Sequence, residues 1–404
     1  MQPENRNNST LEKEILEKMD IEKMIAYGQR LIRSRSVNPP ADYSEISQIA
    51  FEEQKRAGLE VAFFEGHPGK KNVFGLIRGS DPGGEVLCLS GHMDVVASGD
   101  EKAWKYPPFN GEIHENRIWG RGASDIKCAL AAQLYALDAV KRGGFPLRGT
   151  VLIGNTVDDE TAGAWGMKYM IEKGFATKGW PLPTFHILGE ANHLNMTGSF
   201  KGRLWLRITT KGKSAHGGAP RTGINAIDQM IRLVEQYRKI PRTRHPLMGE
   251  DTLNLGILTG GTKVNIVPAD CEAHFDFRMC SPSDSESSLR RFREIIKGLE
   301  SEDPAFRVNG FEVYERRDPV EADFNHPLVG ISKQCIREVT GKDPAMEGTL
   351  SAGDLYHSLK AGIPGIWIGP GDVNVIHQTD EHLDLDEWIR AAKIYALLIM
   401  RICG

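Results

Sequence analysis

Histidines and carboxylates follow the apolar runs of this sequence, at the points where buried strands are expected to end. Four such runs cover residues 86–90, 150–154, 184–188 and 365–369. The polar residues after or between them are His92, Asp94, Asp125, Asp158, Asp159, Glu160, Glu190 and His377. The intervals from His92 to Asp125 to Glu160 to Glu190 are 33, 35 and 30 residues, roughly one βαβ unit each. Because ligands bind at the carboxyl ends of strands in open α/β sheets, we expect these side chains to converge on one rim.

The donor types in this set are those of a divalent metal site. One residue from each segment gives two histidines and three carboxylates without a thiolate, which suit zinc, manganese or cobalt. These five residues are His92, Asp125, Glu160, Glu190 and His377. Five ligands are too few for two isolated ions, but they suffice if one carboxylate bridges the pair. Two ions about 3.5–4 Å apart would then activate water and polarise a carbonyl group. In an extended segment His92 and Asp94 project to the same side, so Asp94 is expected to accept a hydrogen bond from the ring nitrogen that does not bind metal.

Each motif taken alone has a simpler interpretation. A His-x-Asp pair is common on protein surfaces, and an acidic triplet such as 158–160 is typical of solvent-exposed charges at the start of a helix. Glu190 directly after Gly189 is also typical of a cap or a turn. The ordered occurrence of the whole set at strand ends favours the metal site.

The elements around these residues indicate an α/β domain with a mainly parallel sheet flanked by helices. The apolar runs are short and apolar on both faces, as in buried parallel strands. Helical spacing of apolar residues covers 11–32, 51–58, Cys128–Arg142, 165–174 and 386–403. The last strand and the final helix resume the same domain after an interruption.

The middle of the chain has a different pattern. Strands are predicted at 203–210, 252–258, 273–279 and 306–314, with helices at 225–238 and 287–299. That β-α-β-β-α-β order is typical of a ferredoxin-like α+β domain. We therefore predict an inserted domain at residues 199–316 within a discontinuous domain formed by residues 1–198 and 317–404.

Composition excludes several classes of protein. The chain has 404 residues, of which 40% are hydrophobic and 26% charged, so it is not a disordered protein. Fifty basic and fifty-four acidic side chains do not form the basic footprint of a nucleic-acid binder. No apolar run reaches the ~18–20 residues of a membrane span, and residues 1–19 lack the apolar segment of a signal peptide. The six cysteines form no C-x-x-C pair, so we expect reduced thiols. Together these observations predict a soluble, cytoplasmic protein with no nucleic-acid or membrane partner.

The motifs as a set resemble those of a known enzyme family. They are GHMDVV (91–96), GRGASDIK (120–127), DDETAG (158–163), GE (189–190), GPG (369–371) and HQTDE (377–381). The sequence resembles the acetylornithine deacetylase, succinyl-diaminopimelate desuccinylase, aminoacylase and carboxypeptidase G family of co-catalytic zinc metallopeptidases. The resemblance extends from Ser36 to the final helix. It implies a zinc-exopeptidase-like catalytic domain and an inserted lid or dimerisation domain.

The resemblance also implies roles for the residues in these motifs. It places His92 and Glu190 on one metal ion, Glu160 and His377 on the other, and Asp125 between the two. The ions are expected to be zinc, with cobalt or manganese as alternatives. Asp94 matches the residue that orients the first histidine. Asp159 matches the general base, which takes a proton from the bridging water and delivers it to the leaving amine.

The inserted domain carries further matching motifs. GKSAH (212–216) resembles the lid motif, whose histidine, here His216, stabilises the oxyanion and often reaches the site of a neighbouring subunit. GGTKVNIVP (260–268), which contains Asn265, and the pair FR (277–278) resemble elements that bind the substrate carboxylate. The guanidinium fork of Arg278 suits a carboxylate in two-point contact. Without the resemblance, His216 is more typical of an ordinary loop histidine, and Arg278 is more typical of an arginine that faces solvent at the end of a strand.

Three positions depart from the family pattern. Asp159 stands where the family has glutamate. The aspartate side chain is one methylene shorter, which withdraws the carboxylate by about 1.5 Å, and misplacement on that scale costs on the order of a hundredfold in rate. Cys128 stands where a glycine commonly follows the lysine, and we expect an effect on helix packing only. Tyr356 replaces an arginine, which disfavours strongly acidic acyl groups in the substrate.

These observations lead to one main hypothesis and several alternatives. The main hypothesis is a dinuclear metal-dependent hydrolase that cleaves the amide bond of a small N-acyl amino acid or dipeptide-like substrate through a metal-bridging hydroxide. A related dipeptidase or hydrolytic deaminase is the first alternative, and a non-catalytic binding protein on the same scaffold is the second. An added antiparallel sheet leaves an edge strand that needs covering, so we predict a homodimer through the inserted domain.

Overall fold

The computed structural model describes residues 3–161, 163–350 and 353–404, and the chain divides into two compact units. The first unit contains the residues up to Gly198 together with Ala322–Glu347 and Gly353–Gly404. The second unit contains Ser199–Glu321 and a short segment that starts at Gly348. It begins at the residue where the insertion was predicted to begin and continues past residue 316, the predicted end.

The described helices lie in both units. They are α1 (Pro3–Glu17), α2 (Ile21–Arg33), α3 (Ser44–Arg56), α4 (Cys128–Arg142), α5 (Met167–Tyr169), α6 (Phe175–Thr177), α7 (Ala226–Arg238), α8 (Ser285–Glu302), α9 (Pro327–Thr340), α10 (Leu355–Lys360) and α11 (Leu385–Cys403). Single helical turns occur at Glu101–Ala103, Ala123–Lys127, Met170–Gly174 and Pro220–Thr222. None of the described helices combines the length and the apolar content that a membrane crossing requires.

The described strands are numbered in chain order. They are β1 (Glu60–His67), β2 (Lys70–Ile77), β3 (Val86–His92), β4 (Glu112–His114), β5 (Arg117–Trp119), β6 (Thr150–Thr156), β7 (Phe185–Leu188), β8 (Met196–Phe200), β9 (Gly202–Lys211), β10 (Arg244–His245), β11 (Gly249–Glu250), β12 (Thr252–Gly260), β13 (Asp270–Met279), β14 (Val308–Arg317), β15 (Val320–Glu321), β16 (Met346–Thr349), β17 (Gly365–Trp367) and β18 (His382–Asp384).

The sheet of the first unit has the strand order β1-β2-β6-β3-β7-β17-β8. Its centre is parallel, since β6, β3, β7 and β17 pair in parallel, while β2 and β8 join it in antiparallel fashion. Every residue of β3 is buried, which explains its continuous apolar run. The predicted α/β class with helices on a mainly parallel sheet is confirmed.

Two local features of the first unit differ from the sequence prediction. The helical stretch predicted over 11–32 is broken in two, because the side chain of Asp20 accepts a hydrogen bond from the backbone N–H of Lys23 and caps α2. The hairpin of β1 and β2 was not predicted. In β1 only Phe64 is fully buried, so the strand lacks a clear alternation of apolar and polar residues.

The second unit is built around a four-stranded sheet in the order β12-β13-β9-β14. All three pairings are antiparallel, and α7 and α8 pack on one face. Leu204, Leu206 and Ile208 alternate inward along β9 and meet Leu233 of α7 and Phe292 of α8 in a common core. This arrangement is the predicted ferredoxin-like one.

Candidate metal centre

The predicted metal ligands all lie in the first unit and on neighbouring segments. His92 is the last residue of β3, and Glu160 and Glu190 stand in the loops after β6 and β7. Asp125 belongs to the turn Ala123–Lys127 directly before α4, and His377 follows β17. Because β6, β3, β7 and β17 run parallel and adjacent, their carboxyl ends bring these segments to one edge of the sheet.

The side chains form two groups that share Asp125. His92 Nε2 lies 3.1 Å from Asp125 Oδ1 and 3.2 Å from Glu190 Oε1. His377 Nε2 lies 3.0 Å from Asp125 Oδ2 and 3.2 Å from Glu160 Oε2. The carboxylate of Asp125 therefore turns one oxygen toward each histidine, and each histidine has a second carboxylate of its own.

The charges of this cluster fit two divalent cations. Asp125, Glu160 and Glu190 are buried side by side, which is unfavourable unless positive charge lies between them. Burial and the charge of Asp125 raise the pKa of Glu190 to about 7. Contacts with Asp125 and Glu160 raise the pKa of His377 to about 10. A cation between these carboxylates would compensate their charge, and imidazole and carboxylate donors without thiolate suit zinc, manganese or cobalt.

The orientation of His92 depends on Asp94, although not through the group that was expected. The ring nitrogen Nδ1 of His92 lies 2.9 Å from the main-chain carbonyl oxygen of Asp94, whereas the carboxylate oxygen Oδ1 is 3.8 Å away. The other carboxylate oxygen of Asp94 accepts hydrogen bonds from Asn38 Nδ2 at 2.9 Å and from the backbone N–H of Glu160 at 3.1 Å. The carboxylate is thus directed to the loop that carries Glu160, and the carbonyl oxygen holds the histidine ring.

Asp159 reaches the cluster despite its short side chain. A carboxylate oxygen of Asp159 and the ligand atoms of His92 and Glu190 all lie within 4.8 Å of one another. Burial raises the pKa of Asp159 well above its usual value, and the nearby charges of Asp354 and Glu190 raise it further. A carboxyl group in this environment holds a proton readily, which is a property of general acids and bases.

The loop that carries Asp159 is anchored through the preceding residue. Asp158 has a positive φ of 75°, and its backbone N–H donates to the hydroxyl of Tyr43 at 3.0 Å. Its carboxylate pairs with Lys70 and accepts hydrogen bonds from Thr161 Oγ1 and the backbone N–H of Ala164. These contacts set the direction in which the next residue enters the cluster.

Three buried polar residues near the cluster were not assigned a role from the sequence. Asn38 donates to Asp94, as described above. Asn192 accepts a hydrogen bond from the backbone N–H of Gly369 and donates to the carbonyl oxygen of Trp367, which joins the loop after β7 to the end of β17. Glu381 binds the turn that carries Asp125. Glu381 stands within a quoted motif, and Asn192 follows another by two residues. Asn38 lies two residues after Ser36, where the resemblance begins, so proximity to the matching segments was the only available signal.

The other predicted site residues belong to the second unit. His216 is exposed, and its Nδ1 accepts a hydrogen bond from the backbone N–H of Gly218 at 3.0 Å. Asn265 is also exposed, and its main-chain carbonyl oxygen accepts a hydrogen bond from the backbone N–H of Gly217 at 2.8 Å. The structure therefore brings the segments of His216 and Asn265 together.

Arg278 already binds a carboxylate of its own strand. Its Nε lies 2.8 Å from Asp276 Oδ1 and its Nη2 lies 3.0 Å from Asp276 Oδ2. The remaining amino group donates to the carbonyl oxygen of Leu350 at 3.3 Å. The two-point contact that was predicted for a substrate carboxylate is made here by Asp276.

Two of the three departures from the family pattern have simple structural settings. Cys128 is fully buried at the start of α4, and its carbonyl oxygen accepts a hydrogen bond from Trp388 Nε1 at 2.7 Å. Tyr356 lies in α10 and is also buried. Cys128 therefore contributes to packing, as expected.

Comparisons with known proteins give the family. Residues 88–401 match the model described as peptidase family M20/M25/M40. The chain is 25% identical to the probable succinyl-diaminopimelate desuccinylase of Staphylococcus epidermidis (strain ATCC 12228 / FDA PCI 1200) over 343 residues, which cover 78% of this chain and 82% of that protein. It is 23% identical to the N-formyl-4-amino-5-aminomethyl-2-methylpyrimidine deformylase of Halalkalibacterium halodurans over 411 residues, which cover 95% of each chain.

A solved structure agrees in fold. The Bacillus subtilis YXEP protein, described as a dinuclear metal binding peptidase from the M20 family, matches with a TM-score of 0.71. The sequence identity is 15%, and the match covers 95% of this chain and 98% of that one. Since the family model covers more than half of the residues, the chain belongs to peptidase family M20/M25/M40.

Proposed function

We propose that this chain, a metal-dependent hydrolase of amides by its family, cleaves the amide bond of a small N-acyl amino acid with two divalent ions. The observation that carries the proposal is the carboxylate of Asp125, which turns one oxygen toward each of two histidine–carboxylate pairs. A relative named as a desuccinylase and a fold neighbour described as dinuclear support it. Zinc is the proposed metal, with cobalt and manganese as alternatives.

The proposed role of Asp159 follows from its position beside His92 and Glu190. The roles of His216, Asn265 and Arg278 are proposed from the motifs in which they stand. The two ions, when bound, supply activated water and polarise the substrate carbonyl. Asp159 accepts the proton of the attacking water and passes it to the leaving amine, and its raised pKa suits it to carry that proton. His216 stabilises the oxyanion of the tetrahedral intermediate, and Asn265 and Arg278 bind the carboxylate of the substrate.

A second candidate substrate is an N-formyl amide without a carboxylate group. The guanidinium of Arg278 is already in two-point contact with Asp276, which leaves less of its fork for a substrate carboxylate. The relative named as a deformylase acts on a formylated aminomethylpyrimidine by its name, and its match extends over 95% of both chains. These two observations favour this candidate over a dipeptide.

A substrate screen combined with elemental analysis tests both candidates. The substrates are N-acetyl, N-succinyl and N-formyl amino acids, an N-formyl aminomethylpyrimidine and dipeptides. We expect about two divalent ions per chain and turnover of one of the N-acyl or N-formyl classes. His92→Ala is expected to remove metal and turnover, because its Nε2 faces both Asp125 and Glu190. The control His114→Ala removes a half-buried histidine that pairs with Glu112 and belongs to no part of the cluster. A protein without bound metal, or unchanged turnover in His92→Ala, contradicts the proposal.

The proposed assembly is a homodimer formed through the second unit. Strand β12 is at the edge of the four-stranded sheet, and its residues Ile257 and Leu258 are 51% and 46% exposed. An edge strand with exposed apolar side chains is stabilised when another strand or helix covers it. A second copy of the chain provides that cover with the same surface.

The proposed location is the cytoplasm. All six cysteines are buried, and among the described residues none pairs with another in a disulfide. Six unpaired thiols suit a reducing compartment.

A further inference from the structure

The carboxylate of Glu381 lies buried against the turn that carries Asp125. Its oxygen Oε1 accepts hydrogen bonds from the backbone N–H groups of Gly122 at 3.1 Å, Ser124 at 3.0 Å and Asp125 at 3.0 Å. Its oxygen Oε2 accepts a hydrogen bond from Arg121. Three donors of one turn therefore converge on a single oxygen, and the other oxygen is held by a buried cation.

Glu381 also connects this turn to the segment of the second histidine. It stands four residues after His377 in the chain. Its main-chain carbonyl oxygen accepts a hydrogen bond from the backbone N–H of Gly120 at 2.9 Å. The carbonyl oxygen of His382 accepts another from Ser124 Oγ at 2.7 Å. The two segments that supply Asp125 and His377 are thus joined through one short stretch of chain.

We propose that Glu381 is a positioning residue for the metal pair. It holds the main chain of Asp125 so that the two carboxylate oxygens face His92 and His377, and it thereby sets the affinity for both ions. This inference rests on the proposed two-metal function. Glu381 is not itself offered as a ligand, because its two oxygens are engaged by the turn and by Arg121.

The chemistry of the contact explains why an acceptor is needed here. A carboxylate oxygen can accept several hydrogen bonds at once, whereas an apolar side chain would leave the three buried N–H groups without a partner. Arg121 complicates a simple deletion, since it is buried and stacked over the ring of Trp104 at 5.2 Å. Removal of Glu381 alone would leave this cation unpaired and would destabilise the fold for that reason.

Two double variants separate the contributions of charge and hydrogen bonding. Arg121→Met with Glu381→Met replaces the buried ion pair by apolar side chains. Arg121→Met with Glu381→Gln also removes the ion pair, but it keeps a side-chain oxygen for the three N–H groups. The measurements are the dissociation constants of Zn²⁺ by competition with a chromophoric chelator and the absorption spectrum of the Co²⁺-loaded protein. Circular dichroism and thermal unfolding establish that each variant is folded.

The variant Arg121→Met with Glu381→Met is called Met/Met below, and Arg121→Met with Glu381→Gln is called Met/Gln. We expect Met/Met to bind the ions about 10–100-fold more weakly than the wild type, as is usual when a group that orients a ligand is lost. Its Co²⁺ spectrum is expected to change as well. The Zn²⁺ dissociation constant of the Met/Gln variant is expected to stay within about threefold of the wild-type value, because the amide oxygen still accepts hydrogen bonds from the turn. Glu338→Gln is the matched control, since Glu338 pairs with Arg401 on α9 and α11.

The possible results are distinguishable. A folded Met/Met variant with wild-type metal affinity and spectrum overturns the inference, and so does a Met/Gln variant as weak as Met/Met. If Met/Met does not fold, Glu381→Asp decides, because it keeps the charge and withdraws the oxygens by about 1.5 Å. Wild-type affinity in Glu381→Asp then overturns the inference, and weakened affinity supports it. A wild-type chain that binds no metal overturns the proposed function as well.

Discussion

At the level of single residues, the proposed proton transfer depends on Asp159. Its carboxylate lies beside His92 and Glu190, although its side chain is one methylene shorter than glutamate. We expect Asp159→Asn to lower kcat by about 10²–10⁴, since an amide cannot accept the proton. Metal content is expected to stay at the wild-type level, because both histidines keep their paired carboxylates. Kinetics and elemental analysis check this, with exposed Asp343→Asn as the control. Retained turnover in Asp159→Asn would remove Asp159 from the mechanism.

The protonation of the metal ligands predicts how metal binding depends on pH. Without metal, the pKa of His377 is raised to about 10 and that of Glu190 to about 7, so both groups carry a proton in mild acid. A metal ion needs a neutral imidazole and an ionised carboxylate, so binding releases these protons. The affinity must then increase with pH, by about tenfold per pH unit for each proton released. Zn²⁺ dissociation constants at pH 6, 7 and 8 measure this, and a constant value would contradict the assignment of these ligands.

At the level of elements, the packing of α2 against α11 depends on a glycine. A Cβ atom built on Gly28 would lie 2.4 Å from the ring of Trp388, which is fully buried and donates to Cys128. We expect Gly28→Ala to lower the free energy of unfolding by about 1–3 kcal/mol, because the ring has no room to move. Gly330→Ala in α9 is the control, as no described atom lies within 4 Å of its added Cβ. It is expected to stabilise by about 0.5–1 kcal/mol. Urea unfolding of both variants measures these changes. An equal change in the free energy of unfolding in both would contradict the role of the Trp388 contact and would show that helix propensity dominates.

At the level of the whole molecule, the proposed dimer predicts a defined mass. The chain of 44.8 kDa is expected to sediment at about twice that value at micromolar concentration. Leu258→Lys places a charge on the edge strand β12 and is expected to shift the equilibrium to the single chain. The control Ile113→Lys changes an exposed apolar residue of the first unit and should leave the mass unchanged. If the wild type sediments as a single chain, the proposed dimer is contradicted. His216 then cannot act in the site of a neighbouring copy.

Local patterns predicted much of the fold. The helix predicted at Cys128–Arg142 has the same bounds in the structure, and β3 is as fully buried as its apolar run indicated. Both follow from periodicity within a short segment. The hairpin of β1 and β2 was missed because most of β1 is only partly buried, so its side chains carry little pattern.

Contacts between distant segments were beyond local patterns. The carboxylate of Asp94 turned out to bind Asn38, which lies 56 residues earlier. Glu381 binds the backbone of Asp125 across 256 residues. Asp276 and Arg278 stand two apart on one strand, yet only the folded chain shows that their side chains close on each other.

The sequence by itself determined the kinds of donor, their order along the chain and their place at strand ends, because residue type and periodicity are local properties. It therefore predicted a metal centre at one edge of an α/β sheet. Only the tertiary structure decided that His92 meets Asp125 and Glu190 while His377 meets Asp125 and Glu160. Those distances depend on how parallel strands and their loops pack, which is set by the whole core and not by any one segment.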